Sequence, residues 1–168
     1  DPGVAHIPAF LSKKNIKVST VTTNTADINK KVQEKFGVPN IVRSFGTYQI
    51  YLNHKGIDSA GKNAGEIALF VAEEFKKLPH ILNAFSYKDM ANVAMPSILK
   101  EKFLNGYHSS LSGDVQFITK AGYFYGGKTG TTHGTWYPYD AHIPLVFMGW
   151  GVLPGRTNRV TYMTDISA

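Results

Sequence analysis

The chain has 168 residues, of which 43% are apolar and 18% are charged, a composition typical of a globular domain with a real core. It contains no cysteine, which excludes thiolate metal sites, disulfides and a cysteine nucleophile. The formal net charge is +6, but the 18 Lys and Arg are spread along the chain, so we interpret most of them as a solvated surface. No apolar run approaches the roughly 18 residues that a membrane span needs, and no signal peptide is evident.

The first half of the chain alternates between helical and strand-like patterns. Residues 25–37 and 64–78 carry apolar side chains at helical spacing, and Pro79 ends the second helix. Between them, "NIVRSF" (40–45) and "TYQIYLN" (47–53) have the composition of two strands.

The second half continues the same mixture. Its predicted elements are a strand at 81–86, a helix from Pro96 to Asn105-Gly106, a hairpin of strands 114–119 and 122–125, and a buried central strand at 143–151. The pattern as a whole predicts an α/β or α+β fold, with the residues of chemical interest near the C-terminus.

The stretch "GYFYGGKTGTTHG" (122–134) matches three motifs that imply different chemistries. The first is the phosphate-binding G-x-x-x-x-G-K-[ST] loop, which requires a strand before it and a helix after it. The bulky residues 123–125 favour a strand inside the supposed loop, and the glycines, threonines and proline after Thr129 disfavour a helix. The sequence therefore argues against a phosphate-binding loop.

The second motif, K-T-G at 128–130, belongs to serine acyl-transferases, which also need S-x-x-K and S-x-N elements. Two S-x-x-K matches exist, at Ser59–Lys62 and Ser97–Lys100, but S-x-N is absent from the sequence. The second match precedes Lys128 by too few residues to hold the helical lobe of that fold. We expect no acyl-transferase site.

The third interpretation takes His133 as a zinc ligand, since a neutral imidazole in a loop is a good ligand for zinc. His142 in "YDAHIP" is an equal competitor, and Asp140 with His142 forms an alternative orienting pair. A histidine in a loop is also often just solvated, so the residues alone leave these choices open.

Longer stretches carry a resemblance to a known family. They are "DPGVAHIPAFL" (1–11), "NGYHSSLSGDV" (105–115), "GGKTGTTHGTWYPYDAHIPLVFMGWG" (126–151) and "MTDIS" (163–167). Together they resemble the C-terminal part of bacterial alkaline phosphatases of the flavobacterial phosphate-irrepressible type, related to the type I phosphodiesterase/nucleotide pyrophosphatases. The T-G-T-T-H-G…Y-D-x-H-x-P run is long and specific, whereas the resemblance between residues 12 and 100 is looser.

The resemblance implies an α/β sandwich with a two-zinc site that hydrolyses phosphate esters through a threonine nucleophile. It makes His133 a ligand of one zinc and Asp1 a ligand of the other, while His142 and Asp140 support the ligands from behind or are structural. Pro2 stands where the family has a further histidine ligand, and proline offers a metal no lone pair. The nucleophile belongs upstream of Asp1, and Lys128 has no catalytic role. The resemblance and the lack of cysteine favour a periplasmic or secreted location.

A division of the chain follows from the same resemblance. Residues 1–11 correspond to the start of the core with a remnant of a metal loop, 12–125 to an inserted α+β region, and 126–168 to a C-terminal core segment with the metal-ligand loop. We expect a fragment of a longer enzyme, inactive in isolation, with small phosphate esters as substrates and no nucleic-acid or membrane partner. The alternative is a non-catalytic basic module that binds an anion or nucleic acid, suggested by the pI near 9.4 and the nine tyrosines.

Overall fold

A computed structural model describes residues 6–15, 21, 25–127 and 129–166 of the chain. Its sheet has four strands: β1 (Val42–Gly46), β2 (Gln49–Leu52), β3 (Ile81–Ser86) and β4 (Val115–Thr119). The strand order is β1-β2-β4-β3, and every neighbouring pair is antiparallel. The mixed class that the sequence predicts is confirmed, in the form of a small antiparallel sheet with helices.

The helices lie between the strands and toward both ends of the described chain. They are α1 (Pro8–Lys13), α2 (Thr25–Phe36), α3 (His54–Ser59), α4 (Ala64–Lys76), α5 (Ser97–Asn105) and α6 (Pro138–Ala141), with short 3₁₀ segments at Tyr87–Asn92 and Met163–Ile166. The predicted helices at 25–37 and 64–78 correspond to α2 and α4, within two residues at each end. Asn63 begins α4 by accepting hydrogen bonds from the N–H groups of Gly65 and Glu66.

Apolar side chains cover the sheet on both faces. The larger cluster packs α2 and α4 on one face, and Val32, Val71 and Phe75 are its fully buried centre. A smaller cluster on Phe85 and Ile118 has Met90, Phe103 and Trp136 as further members. Because β4 lies between two strands and two apolar layers, all five of its residues are buried.

The turn between β1 and β2 has a strained backbone. Thr47 and Tyr48 have φ values of +47° and +62°, the left-handed conformation that a two-residue hairpin turn needs at both central positions. Glycine or asparagine normally fills such positions, and a bulky residue there costs about 1–3 kcal/mol. Tyr48 offsets the strain because its ring is buried and packs on Phe117, with ring centroids 5.7 Å apart.

The predicted hairpin of 114–119 with 122–125 is wrong in its second strand. The N–H of Tyr123 donates to the carbonyl of Lys120 at 3.0 Å, so the chain turns directly after β4. The carbonyl of Phe124 accepts a hydrogen bond from the N–H of Val21 rather than from β4. Both edges of β4 are already occupied by β2 and β3, so no edge remains for residues 122–125 to pair with.

The predicted central strand at 143–151 is also wrong for this chain. None of these residues, all of which the structure describes, lies in a strand, and Met148 and Trp150 are 95% and 103% exposed. A strand requires a neighbour for its N–H and C=O groups, and no strand of the described sheet pairs with this segment. The apolar run is therefore present without a partner strand in the described part of the chain.

Candidate functional site

The centre of the candidate site is a contact between His133 and Asp140. The Nδ1 atom of His133 lies 3.3 Å from Oδ1 of Asp140. The other carboxylate oxygen, Oδ2, accepts hydrogen bonds from the backbone N–H and the hydroxyl of Thr135, at 2.6 and 2.7 Å. The Asp140 side chain is only 3% exposed, whereas that of His133 is 55% exposed. A buried, hydrogen-bonded carboxylate thus supports an imidazole that reaches the surface.

The local sequence explains how Asp140 reaches this position. Pro138 is the first residue of α6, where its fixed φ suits a helix and its missing N–H costs nothing. The single turn of α6 directs Asp140 back toward Thr135, five residues earlier. A carboxylate that accepts the Nδ1–H of a histidine fixes the tautomer whose basic nitrogen is Nε2. This is the arrangement that metal-ligating histidines commonly have.

The loop that carries His133 also packs against the sheet, through the side chain of Tyr48. Gly134 has φ +116°, and a Cβ atom at this position would lie 2.6 Å from Cε2 of Tyr48. The backbone directly after His133 therefore lies against the tyrosine ring. Burial raises the pKa of the Tyr48 hydroxyl above its usual value, and this hydroxyl accepts from the N–H of Tyr125 at 3.4 Å. The strained hairpin turn and the histidine loop are thus in direct contact.

Aromatic residues of the loop attach it to the rest of the fold. The Tyr137 hydroxyl donates to the carbonyl of Thr119 at 2.9 Å, and the Tyr139 hydroxyl accepts from the N–H of Gly122 at 3.0 Å. Trp136 packs edge-on against Phe103, with ring centroids 5.8 Å apart. These contacts connect the loop to the end of β4 and to α5.

Of the other predicted site residues, His142 is the one that the structure describes. His142 follows α6 and is exposed, and the partner of Asp140 is His133 rather than His142. Asp1 and Lys128 lie outside the described residues. Among the described residues, no group of three or more His, Asp or Glu side chains is arranged to hold a metal ion. The described part of the chain thus supplies one well-oriented imidazole.

The structure also argues against the phosphate-binding loop in 122–134. Residues 129–137 form no helix, and α6 begins only at Pro138, so the strand–loop–helix of a phosphate-binding loop is absent from this described stretch. The S-x-x-K match on α5 contains Lys100. The ammonium group of this lysine donates a hydrogen bond to the Ala91 carbonyl at 2.9 Å.

Tyr48 and Thr135 are the site residues that the sequence interpretation missed. Thr135 lies within the conspicuous run 126–151, and its spacing to Asp140 was the available signal. Tyr48 is separated from Gly134 by about half of the chain, and no local pattern predicts their contact.

Three curated proteins are similar to the chain over 99% of its length. It is 39% identical over 171 residues to a protein named calcium-transporting ATPase from Myroides odoratus, of which it covers 31%. It is 36% identical over 169 residues to alkaline phosphatase PafA of Elizabethkingia meningoseptica and over 173 residues to alkaline phosphatase PhoV of Synechococcus elongatus, covering 31% and 30% of them. The chain therefore spans about a third of the length of these relatives. No protein-family model matches it.

Solved structures agree with the sequence relatives. The crystal structure of wild-type alkaline phosphatase PafA superposes with a TM-score of 0.87 at 35% identity, over 98% of this chain and 32% of that one. A mutant of PafA gives a TM-score of 0.86 at 36% identity. Among the described residues, no helix has the length and apolar character needed to cross a membrane. The sequence and the fold are similar, over nearly the whole chain, to about one third of the length of these alkaline phosphatases.

Proposed function

We propose that the chain is part of a zinc-dependent phosphoric ester hydrolase that acts on small phosphate esters, and that His133 is a ligand of one of its two zinc ions. The observation that carries the proposal is the carboxylate-supported imidazole of His133 and Asp140. A histidine that is only solvated does not require a buried carboxylate partner, whereas Asp140 is buried and accepts two further hydrogen bonds from Thr135. The alkaline phosphatase relatives supply the reaction class.

The donor set of the chain fits one part of such a site. Nε2 of His133 is a suitable zinc ligand, and Asp1, if it binds the second ion, does so from outside the described residues. The remaining ligands and the threonine nucleophile are assigned to the rest of the parent protein. Bound zinc ions would stabilise the negative charge that develops on the transferring phosphoryl group. Within this chain, Asp140 holds the Nδ1 proton of His133 and so fixes the ring orientation, and Thr135 holds Asp140.

The exposed apolar segment 143–153 supports a larger parent protein. Its side chains include Met148 and Trp150, which are almost completely exposed, and single domains rarely leave a contiguous patch of this kind uncovered. We assign this surface to contact with the other two thirds of the parent, consistent with a core segment at 126–168 and an inserted region at 12–125. The isolated chain is then inactive because it lacks the nucleophile. A periplasmic or secreted location is part of the same proposal.

The proposal is tested in the full-length parent protein with His133→Ala. We expect kcat/KM for a phosphate ester to fall at least about a hundredfold, since losing about 3 kcal/mol of transition-state stabilisation corresponds to that factor. Zinc content, measured by mass spectrometry of the purified protein, should fall in parallel. Asp140→Asn should weaken zinc affinity by about 10–100-fold, as expected when the hydrogen-bond partner of a ligand is lost.

The matched control is His142→Ala, which removes the exposed histidine that directly follows α6. It should leave zinc content and activity close to those of the wild-type parent. Normal activity and zinc content in His133→Ala, or an equal loss in both histidine variants, would refute the assignment of His133.

A further inference from the structure

A cavity of about 300 Å³ lies between α4, the end of β3 and the loop that precedes β4. The geometry points to a binding site for a small aromatic or cyclic phosphate, with the phosphate held by Lys88 and the hydroxyls of Ser109 and Ser110. The volume is at the lower end of the range for small-molecule sites, about 300–1,000 Å³. His133 and Asp140 do not line this cavity, so the inference does not depend on the proposed function.

The wall of the cavity is preformed by hydrogen bonds within and beneath the loop. The N–H of Gly113 donates to Oε1 of Gln49 at 2.8 Å, and a side chain at Gly113 would collide with the backbone of β2. The N–H of His108 donates to the Ser112 hydroxyl at 2.9 Å, which closes the turn that presents residues 109 and 110. These two serines therefore lie on a turn that hydrogen bonds within the protein hold in place. This loop is part of the stretch 105–115, to which the proposed metal site gives no role.

The described lining of the cavity contains one cationic side chain, Lys88, and one carboxylate, Asp114. Asp114 is the one carboxylate among the lining residues that the structure describes, and both of its oxygens are occupied. Oδ1 lies 2.8 Å from Nε2 of His54, and Oδ2 accepts from the N–H of Leu52 at 2.9 Å. Asp114 is thus held by partners other than Lys88, and the ammonium group of Lys88 is the cation of the lining that can pair with a phosphate. A lysine with serine hydroxyls is a common set of donors for a phosphate group.

Apolar and aromatic surface lines the remainder of the cavity. The rings of Tyr87 and Tyr107 stack with centroids 4.4 Å apart, and Ala64 and Ala68 of α4 leave space beside them. Tyr87 is held in place because its hydroxyl donates to Oε1 of Gln116 at 2.9 Å. A flat ring attached to the phosphate can pack on this surface, whereas a free phosphate would leave it in contact with water.

The test uses the 168-residue chain and phenylphosphonate, whose carbon–phosphorus bond a phosphoric ester hydrolase does not cleave. Isothermal titration calorimetry should detect binding of phenylphosphonate, with phenol and inorganic phosphate each binding at least about tenfold more weakly. Lys88→Met and Ser110→Ala should each weaken phenylphosphonate binding, the former by about tenfold because it removes a charged hydrogen-bond donor. Both residues are exposed, so neither substitution threatens the fold.

Two control variants show whether the loss of binding is specific to the cavity. Lys30→Met removes the same charge from the exposed side of α2, away from the cavity, and should leave the affinity unchanged. His133→Ala should also bind normally, so a failure of the proposed metal site would not affect the result. No binding of phenylphosphonate, equal binding of phenol, or the same loss in Lys30→Met as in Lys88→Met would overturn the inference.

Discussion

The contact between Gly134 and Tyr48 allows a sharp test of how the sheet holds the histidine loop. In Gly134→Ala the new Cβ atom would lie 2.6 Å from Cε2 and 3.0 Å from Cδ2 of Tyr48. The ring cannot easily move away, because it is 5% exposed and packs against Phe117. The backbone at Gly134 has φ +116°, which an alanine rarely adopts. Either the loop or the hairpin turn must therefore shift.

The close contact with the ring and the unfavourable backbone conformation together determine the expected loss of stability in Gly134→Ala. Overpacking of a buried contact costs about 1–3 kcal/mol, and an unfavourable backbone conformation costs about 1–3 kcal/mol. We therefore expect the free energy of unfolding of Gly134→Ala to be lower than that of the wild type by about 2–6 kcal/mol. The matched control is Gly130→Ala in the same loop, where no atom lies within 4 Å of the new Cβ. Its free energy of unfolding should change by less than about 1 kcal/mol.

Urea unfolding of the 168-residue chain, followed by circular dichroism, measures both variants. A third variant, Tyr48→Leu, and its combination with Gly134→Ala complete a double-mutant cycle. If the clash with the ring causes the loss, Gly134→Ala should cost less in the Tyr48→Leu background. Equal midpoints for Gly134→Ala and Gly130→Ala, or no coupling in the cycle, would show that Tyr48 does not hold the loop.

Three further predictions concern titration and the exposed apolar segment. Hydrogen bonding, mainly from Lys31, lowers the pKa of the Glu74 carboxyl below 4.5. The ionised carboxylate therefore contributes its full stabilisation of the folded state above pH 4.5, and this contribution is lost as the pH falls below that value. Glu74→Gln should thus unfold about 1 kcal/mol more easily at pH 7 and approach the wild type in acid, and a constant difference at all pH values would contradict this. Burial lowers the pKa of His80 below 6.5, so the folded state binds a proton less readily than the unfolded state, and the free energy of unfolding falls as the pH drops below 6.5. In urea unfolding at a series of pH values, the free energy of unfolding of His80→Phe should depend less on pH than that of the wild type. The double variant Met148→Ser with Trp150→Ser should bind less of the fluorescent dye ANS than the wild-type chain without altering the unfolding midpoint, and unchanged dye binding would exclude this segment as the exposed patch.

Local sequence signals predicted the longer helices and also the positions of the strands, although not how the strands pair. The helices α2 and α4 follow from apolar residues at helical spacing, and β3 was predicted at its observed bounds, 81–86. Helix α3 was missed because it has six residues, one of them Gly56, and a single fully buried side chain, Ile57. Its stability comes from packing and from the Asn53 cap rather than from periodicity.

The candidate site shows the same difference between what local sequence and what long-range contacts determine. The sequence by itself, through its resemblance to the alkaline phosphatases, singled out His133 and Asp140, because both lie in one continuous run of residues. Only the tertiary structure decided that Asp140 supports His133 rather than His142, and that Tyr48 lies beneath Gly134. The apolar run at 143–151 has the composition of a central strand but is not one here, because a strand exists only when a neighbouring strand satisfies its backbone. Helical periodicity is a property of a segment, whereas strand pairing and side-chain contacts depend on residues that are distant in the chain, and for this reason only the fold determines them.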